Sequence, residues 1–125
     1  MKRSVLVVDD EPNIVLSLEF LLKQAGYEVR VARTGEEAIK AVAEHVPDLI
    51  VLDVMMPSLD GYHVCESIRA DPKLRAVRIL MLTAKSREVE REKALALGAD
   101  DYITKPFSTR ELVERVKTIL ARGGG

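Results

Sequence analysis

Five short apolar runs separated by amphipathic stretches predict an α/β domain of (βα)5 type, with a parallel sheet covered by helices on both sides. Three observations carry this expectation. Strand-like and helix-like segments alternate from end to end. Three of the runs are apolar without alternation, as strands buried on both faces require. Neither an internal repeat nor a low-complexity linker breaks the order. A length of 125 residues is that of one ordinary domain, and 47% hydrophobic residues supply a core.

The first run, SVLVV at 4–8, leads into a stretch in which Ile14, Leu18, Leu21, Leu22 and Ala25 share one helical face. Pro12 suits its opening turn and Gly26 its end. EVRVA at 28–32 is the second strand, followed by TGEE, where Thr34 and Glu37 have the spacing of a capping box. LIVLD at 49–53 is the third strand and RILML at 78–82 the fourth. SREVEREKALAL at 86–97 is the weakest helix, because its large apolar residues are only Val89, Leu95 and Leu97. It reads equally as a solvated surface helix and as a lightly anchored element free to shift. DYIT at 101–104 is the fifth strand. The last helix opens with FSTRE: Ser108 and Glu111 form a second box, Phe107 can staple onto Leu112, and Leu112, Val116 and Ile119 make the buried face. The domain is expected over 1–122, with 123–125 a flexible tail or linker stub.

Charge narrows the functions. Lys and Arg number 19 against 20 Asp and Glu, so no overall field draws the chain to nucleic acid or to an anionic membrane. One cysteine, Cys65, precludes an internal disulfide and suits a reducing compartment. MKRSVLVVDDE reaches acid too early for a secretory signal, and no apolar run approaches membrane-spanning length, so a cytoplasmic protein is expected.

Ligands of open parallel sheets bind beyond the carboxyl ends of the strands, and there the chemistry of this chain collects. The first run ends in Asp9 and Asp10, the third in Asp53, the fourth in Thr83 and Ala84, and the fifth in Lys105 and Pro106. If the first and third strands are neighbours, three carboxylates crowd one pocket and repel unless a cation sits among them. Mg²⁺ suits such a set, with waters and a phosphate oxygen completing its shell. Asp53 is then a candidate nucleophile for a phosphoryl group, with Lys105 and Thr83 to hold its oxygens. Each motif alone has an ordinary explanation: Asp10 could cap the helix near Pro12, and a strand-end Asp is often a turn residue. Their convergence on one sheet edge favours a site.

VLVVDDEP, DLIVLDVMMPSLDG, MLTAK and GADDYITKPF together resemble the receiver domain of two-component response regulators, over essentially the whole chain. The resemblance extends to the receivers of winged-helix transcription factors. It implies a flavodoxin-like three-layer fold with strand order 2-1-3-4-5. It implies that Asp53 accepts a phosphoryl group from a sensor histidine kinase or a histidine phosphotransfer protein. Mg²⁺, which Mn²⁺ can replace, would be held by Asp10, Asp53 and the carbonyl of Met55, with Asp9 acting mainly through water. Thr83 and Lys105 would bind phosphoryl oxygens, Ala84 would leave room for them, and the Lys105–Pro106 bond would be cis. Tyr102 would swing inward as Thr83 moves, altering the face of the fourth helix, fifth strand and fifth helix, which then acts on an effector or a fused output domain. Arg91, Asp101, Glu111 and Arg115 resemble the charges of a phosphorylation-promoted homodimer. Met55 and Lys85 occupy the positions that set phosphoryl lifetime. Because Met55 cannot orient a water, a long-lived phosphoaspartate is expected.

His45 and His63 are expected in helices without metal partners, Cys65 as a half-buried helix residue, and the Met55 and Met56 side chains as loop packing. A phosphatase of the haloacid-dehalogenase type shares the strand-end Asp, but it needs a second acid where this chain has Met55. A flavin-binding flavodoxin needs a hydroxyl- and amide-rich phosphate loop where this chain has DDEP. The expectation is a signalling switch that catalyses only its own phosphorylation and slow dephosphorylation, with no direct contact to nucleic acid or membrane.

Overall fold

The computed structural model describes residues 2–56, 59–84 and 88–122, with the side chains of 88–90 left aside. Five strands and five helices alternate: β1 (Ser4–Val8), α1 (Pro12–Gln24), β2 (Glu28–Ala32), α2 (Gly35–Glu44), β3 (Leu49–Asp53), α3 (Gly61–Ala70), β4 (Arg78–Thr83), α4 (Glu88–Ala96), β5 (Asp101–Thr104) and α5 (Thr109–Ala121). A single 3-10 turn, Pro72–Leu74, precedes β4. All strand pairs are parallel, in the order β2-β1-β3-β4-β5. This is the flavodoxin-like arrangement expected from the sequence.

The side chains of the central strands alternate between two cores. Leu6, Val8, Ile50, Leu52, Ile79 and Met81 face α2 and α3, with Ala94 of α4 joining them. Val5, Val7, Leu49, Val51, Leu80 and Leu82 face α1 and α5. Every residue of β3 is buried, which explains why its sequence does not alternate.

The stripe of α1 is rotated from the expected one. Val15, Leu18 and Leu22 are buried, Ile14 and Leu21 sit at the boundary, and Ala25 is exposed. The helix ends at Gly26, whose φ of +101° a side chain would resist. Both expected boxes form on one side only. Thr34 Oγ1 accepts the Glu37 N–H at 3.0 Å, but the Glu37 carboxylate returns to the N–H of Arg33 at 3.3 Å. Ser108 Oγ accepts the Glu111 N–H at 3.0 Å, while the Glu111 carboxylate turns toward Arg115 at 3.8 Å. Phe107 packs against the core cluster that holds Leu112.

Three small expectations change. His45 is the residue that ends α2, and its carbonyl accepts from Arg30. Cys65 is fully buried. Met56 packs inside, whereas the side chain of Met55 is 66% exposed. Among the described side chains of α4, Leu95 is 41% exposed, Ala94 is buried, and Lys93 Nζ lies 4.2 Å from the centre of the Tyr62 ring. No described helix is long and apolar enough to cross a membrane.

Leu112 and Leu95 provide a direct check on the core. Leu112→Ala should cost about 2–5 kcal/mol in urea unfolding, because the residue is fully buried. Leu95→Ala should stay within about 0.5 kcal/mol. Equal losses would mean that α4 is packed more firmly than its exposure indicates.

Candidate functional site

Strand order assembles the site. Val8 of β1 pairs with Leu52 of β3, so the next residues, Asp9 and Asp53, emerge side by side. Thr83 closes β4 opposite Thr104 of β5, and Lys105 follows directly. The Lys105 N–H donates to the Thr83 carbonyl at 2.6 Å, holding the two strand ends together. The Lys105–Pro106 peptide is cis.

Asp9 is 0% exposed and Asp53 is 2% exposed. Lys105 Nζ lies 3.2 Å from Asp9 Oδ2 and 3.3 Å from Asp53 Oδ1, and it reaches Glu11 at 3.8 Å. Asp9 Oδ1 accepts the Glu11 N–H at 3.0 Å. Asp9 Oδ2 has no well-directed hydrogen bond despite its closeness to Lys105. Asp53 Oδ1 also accepts the Met55 N–H at 3.3 Å. Asp10 is exposed and does not cap α1, whose first residue is preceded by Glu11 without a side-chain cap. Oxygens of Asp9, Asp10 and Asp53 all lie within 4.8 Å of one another.

Burial pushes the Asp53 carboxyl up to about 6, and the charge of Asp9 adds to the rise; Lys105 and the Met55 N–H pull the other way. Burial alone would depress Lys105, but Asp53 and Asp9 outweigh it and hold the ammonium above its usual value. One ammonium shared by several acids leaves the pocket short of positive charge, and Asp9 Oδ2, though 3.2 Å from that ammonium, has no well-directed hydrogen bond. Both features fit a hard divalent cation with oxygen ligands.

Thr83 is buried beside the acids, and Ala84 is exposed at the rim. Tyr102 is half-buried against the core, and its carbonyl accepts Arg115 Nη1 at 3.1 Å. Of the charges expected at a dimer face, Arg115 pairs within the chain with Asp101 at 3.0 Å, and Arg91 is exposed. Lys85 lies outside the described residues. His63 is exposed and pairs with Asp60 at 2.9 Å.

Two contributors escaped the sequence reading. Glu11 was not singled out within the DDEP stretch, yet it lies 3.8 Å from Lys105. Gly61 opens α3 directly against Asp53. A Cβ there would lie 2.4 Å from the Asp53 carbonyl oxygen and 2.9 Å from Val54 Cα. Its only signal was an Asp-Gly pair, which reads equally as a turn.

This strand-end set, on a sheet ordered 2-1-3-4-5, defines a receiver-type signalling domain. The chain belongs to the response regulator receiver domain family, whose pattern matches residues 5–117. Receiver domains hold Mg²⁺ at an acidic pocket, and the Asp9, Asp10 and Asp53 cluster has that character. The chain is 52% identical over 122 residues to the alkaline phosphatase synthesis transcriptional regulatory protein PhoP of Bacillus subtilis (strain 168). That match covers 98% of this chain and 50% of PhoP, so the chain spans half the length of that relative. The chemotaxis response regulator CheY4 of Vibrio cholerae superposes with a TM-score of 0.91 at 31% identity, covering 96% of this chain and 100% of that one. The receiver domain of the Francisella response regulator 1452 gives 0.90 at 33% identity, covering 97% and 98%.

Gly61→Ala should push on the acceptor backbone: it should slow phosphorylation at Asp53 by roughly tenfold or more, the scale expected for a misplaced reacting group. An unchanged rate in a folded variant would contradict this. The raised Asp53 value also sets a pH dependence. Between 3.8 and about 6 the folded protein keeps a proton that the unfolded chain has lost. Without metal, stability should therefore fall as pH rises through that window, by on the order of 1–3 kcal/mol relative to Asp53→Asn. Parallel stability curves for the two proteins would contradict it.

Proposed function

We propose that this receiver takes a phosphoryl group on Asp53 from a phosphohistidine of a sensor kinase or phosphotransfer protein. The observation that carries the reading is the buried Asp53 carboxylate beside Asp9, with Lys105 in contact with both. An Asp53 oxygen attacks phosphorus, the P–N bond breaks, and the electron pair leaves with the imidazole. The product is an acyl phosphate. Asp10, Asp53 and the Met55 carbonyl would hold Mg²⁺, or Mn²⁺ in its place, with Asp9 acting mainly through water, and the ion would supply positive charge for the phosphoryl oxygens. Lys105 would move from the acids onto one phosphoryl oxygen and Thr83 would donate to another, while Ala84 leaves space at the rim.

A cavity of about 510 Å³ lined by Ile14, Ser17, Lys105, Pro106 and Phe107 among others lies beside Lys105, and the donor protein would dock over it. In our reading Thr83 then draws Tyr102 inward, and the face of α4, β5 and α5 changes. That face controls an output partner or a fused output domain and can promote a homodimer through Arg91, Asp101, Glu111 and Arg115. Dimerisation would require Arg115 to exchange or share its present partner, Asp101. We place the receiver at residues 1–122 and the protein in the cytoplasm; residues 123–125 lie outside the described residues.

Intact mass after incubation with acetyl phosphate and Mg²⁺ tests the chemistry. One added phosphoryl group is expected, absent in Asp53→Asn and absent without metal. No adduct on folded protein would overturn the reading. The lifetime should depend on residue 55: Met55→Asn should lose its phosphoryl group several-fold faster, since an amide can orient water and a thioether cannot. Equal decay rates would remove Met55 from that role.

A further inference from the structure

The end of the sheet opposite the acceptor carries a second polar concavity. Around the amino ends of β1, β3 and β4 lies a cavity of about 370 Å³ whose wall includes Arg3, Arg75, Arg78 and Arg122 beside Asp48 and Asp100. Both aspartates are committed inward. Asp48 Oδ2 accepts the Ser4 N–H at 2.7 Å. Asp100 Oδ2 accepts the Ile79 N–H at 2.8 Å and an Arg69 nitrogen at 3.1 Å, and its Oδ1 lies 3.6 Å from Arg78. Arg78 also donates to the Arg122 carbonyl at 3.0 Å, closing the carboxyl end of α5. Arg3, Arg75 and Arg122 remain exposed, and none of them has an ion-pair partner among the described residues.

Four arginines line this cavity against two aspartates, so its wall carries an excess of positive charge that an added anion would offset. The planar guanidinium forks match phosphate oxygens in pairs. Three unpaired cations call for an anion of more than one charge, and the volume exceeds what a single phosphate fills. We propose that this cavity binds a small phosphate-bearing anion with at least two negative charges, of the pyrophosphate type. Such a ligand would tie the turn before β4 to the end of α5. It would act independently of Asp53, since the six residues of β4 separate the two ends by roughly 20 Å.

The test is an amide NMR titration of the protein with inorganic pyrophosphate in EDTA, where the acceptor acids repel anions. Saturable shifts are expected at residues 75–79 and 119–122, with those of Asp9, Asp53 and Lys105 unmoved. Arg75→Gln combined with Arg122→Gln should weaken binding by roughly tenfold or more while leaving acetyl phosphate reactivity unchanged. Should that double variant fail to fold, Arg3→Gln is read by the same criteria. Shifts centred on Asp53, equal shifts from KCl at matched ionic strength, or undiminished binding by the folded variant would each overturn the proposal. Pyrophosphate binding and aspartyl phosphorylation have separate readouts, so either can fail alone.

Discussion

Two buried carboxylates, Asp9 and Asp53, sit side by side with one ammonium to share. That electrostatic shortage governs this molecule. Asp9 and Asp53 are both nearly inaccessible, and Lys105 contacts each without satisfying every oxygen. Removing charges from water is expensive, and an incompletely paired set stays costly. A divalent cation entering the pocket would lower that cost. In the proposed reaction a divalent cation would bring the missing positive charge, and Lys105 could then turn to a phosphoryl oxygen.

The fold serves this arrangement. Only a sheet in which β3 adds beside β1 brings Asp9 next to Asp53, and only β5 at the far side of β4 delivers Lys105 across from them. Apolar side chains on both faces hold those strand ends rigid, so the acids cannot relax apart. Gly61 lets α3 begin against the acceptor carbonyl, and the Met55 N–H supports the carboxylate itself. By contrast, among the described side chains of α4 one alanine is buried and one lysine makes a cation–π contact. A firmly packed Asp53 beside a thinly packed surface helix suits a charge-driven switch.

Much of this was legible in the sequence. Unbroken apolar runs announce buried parallel strands because both faces must be covered, and LIVLD showed its acid emerging from such a strand. Strand-end chemistry follows from topology, so Asp9, Asp53, Thr83 and Lys105 could be grouped before any distance was known. The rotation of α1 was not legible: with Ile14, Val15, Leu18, Leu21 and Leu22 all apolar, periodicity leaves the buried stripe uncertain by one residue. Nor were the returning halves of the capping boxes, since Glu37 and Glu111 had alternatives that only tertiary placement supplies. Gly61 escaped because a close approach of backbone to backbone leaves no mark beyond a small residue. Cys65 was misjudged as half-buried because its burial depends on how α3 meets its neighbours.

The most direct measurement is a carbon-13 NMR titration of the Asp53 carboxyl, first without metal and then with Mg²⁺. The account predicts a midpoint near 6 in the metal-free protein, moving downward when the cation enters. A metal-free midpoint at the ordinary 3.8, unmoved by Mg²⁺, would show that the pocket carries no charge deficit and would contradict the account at its centre.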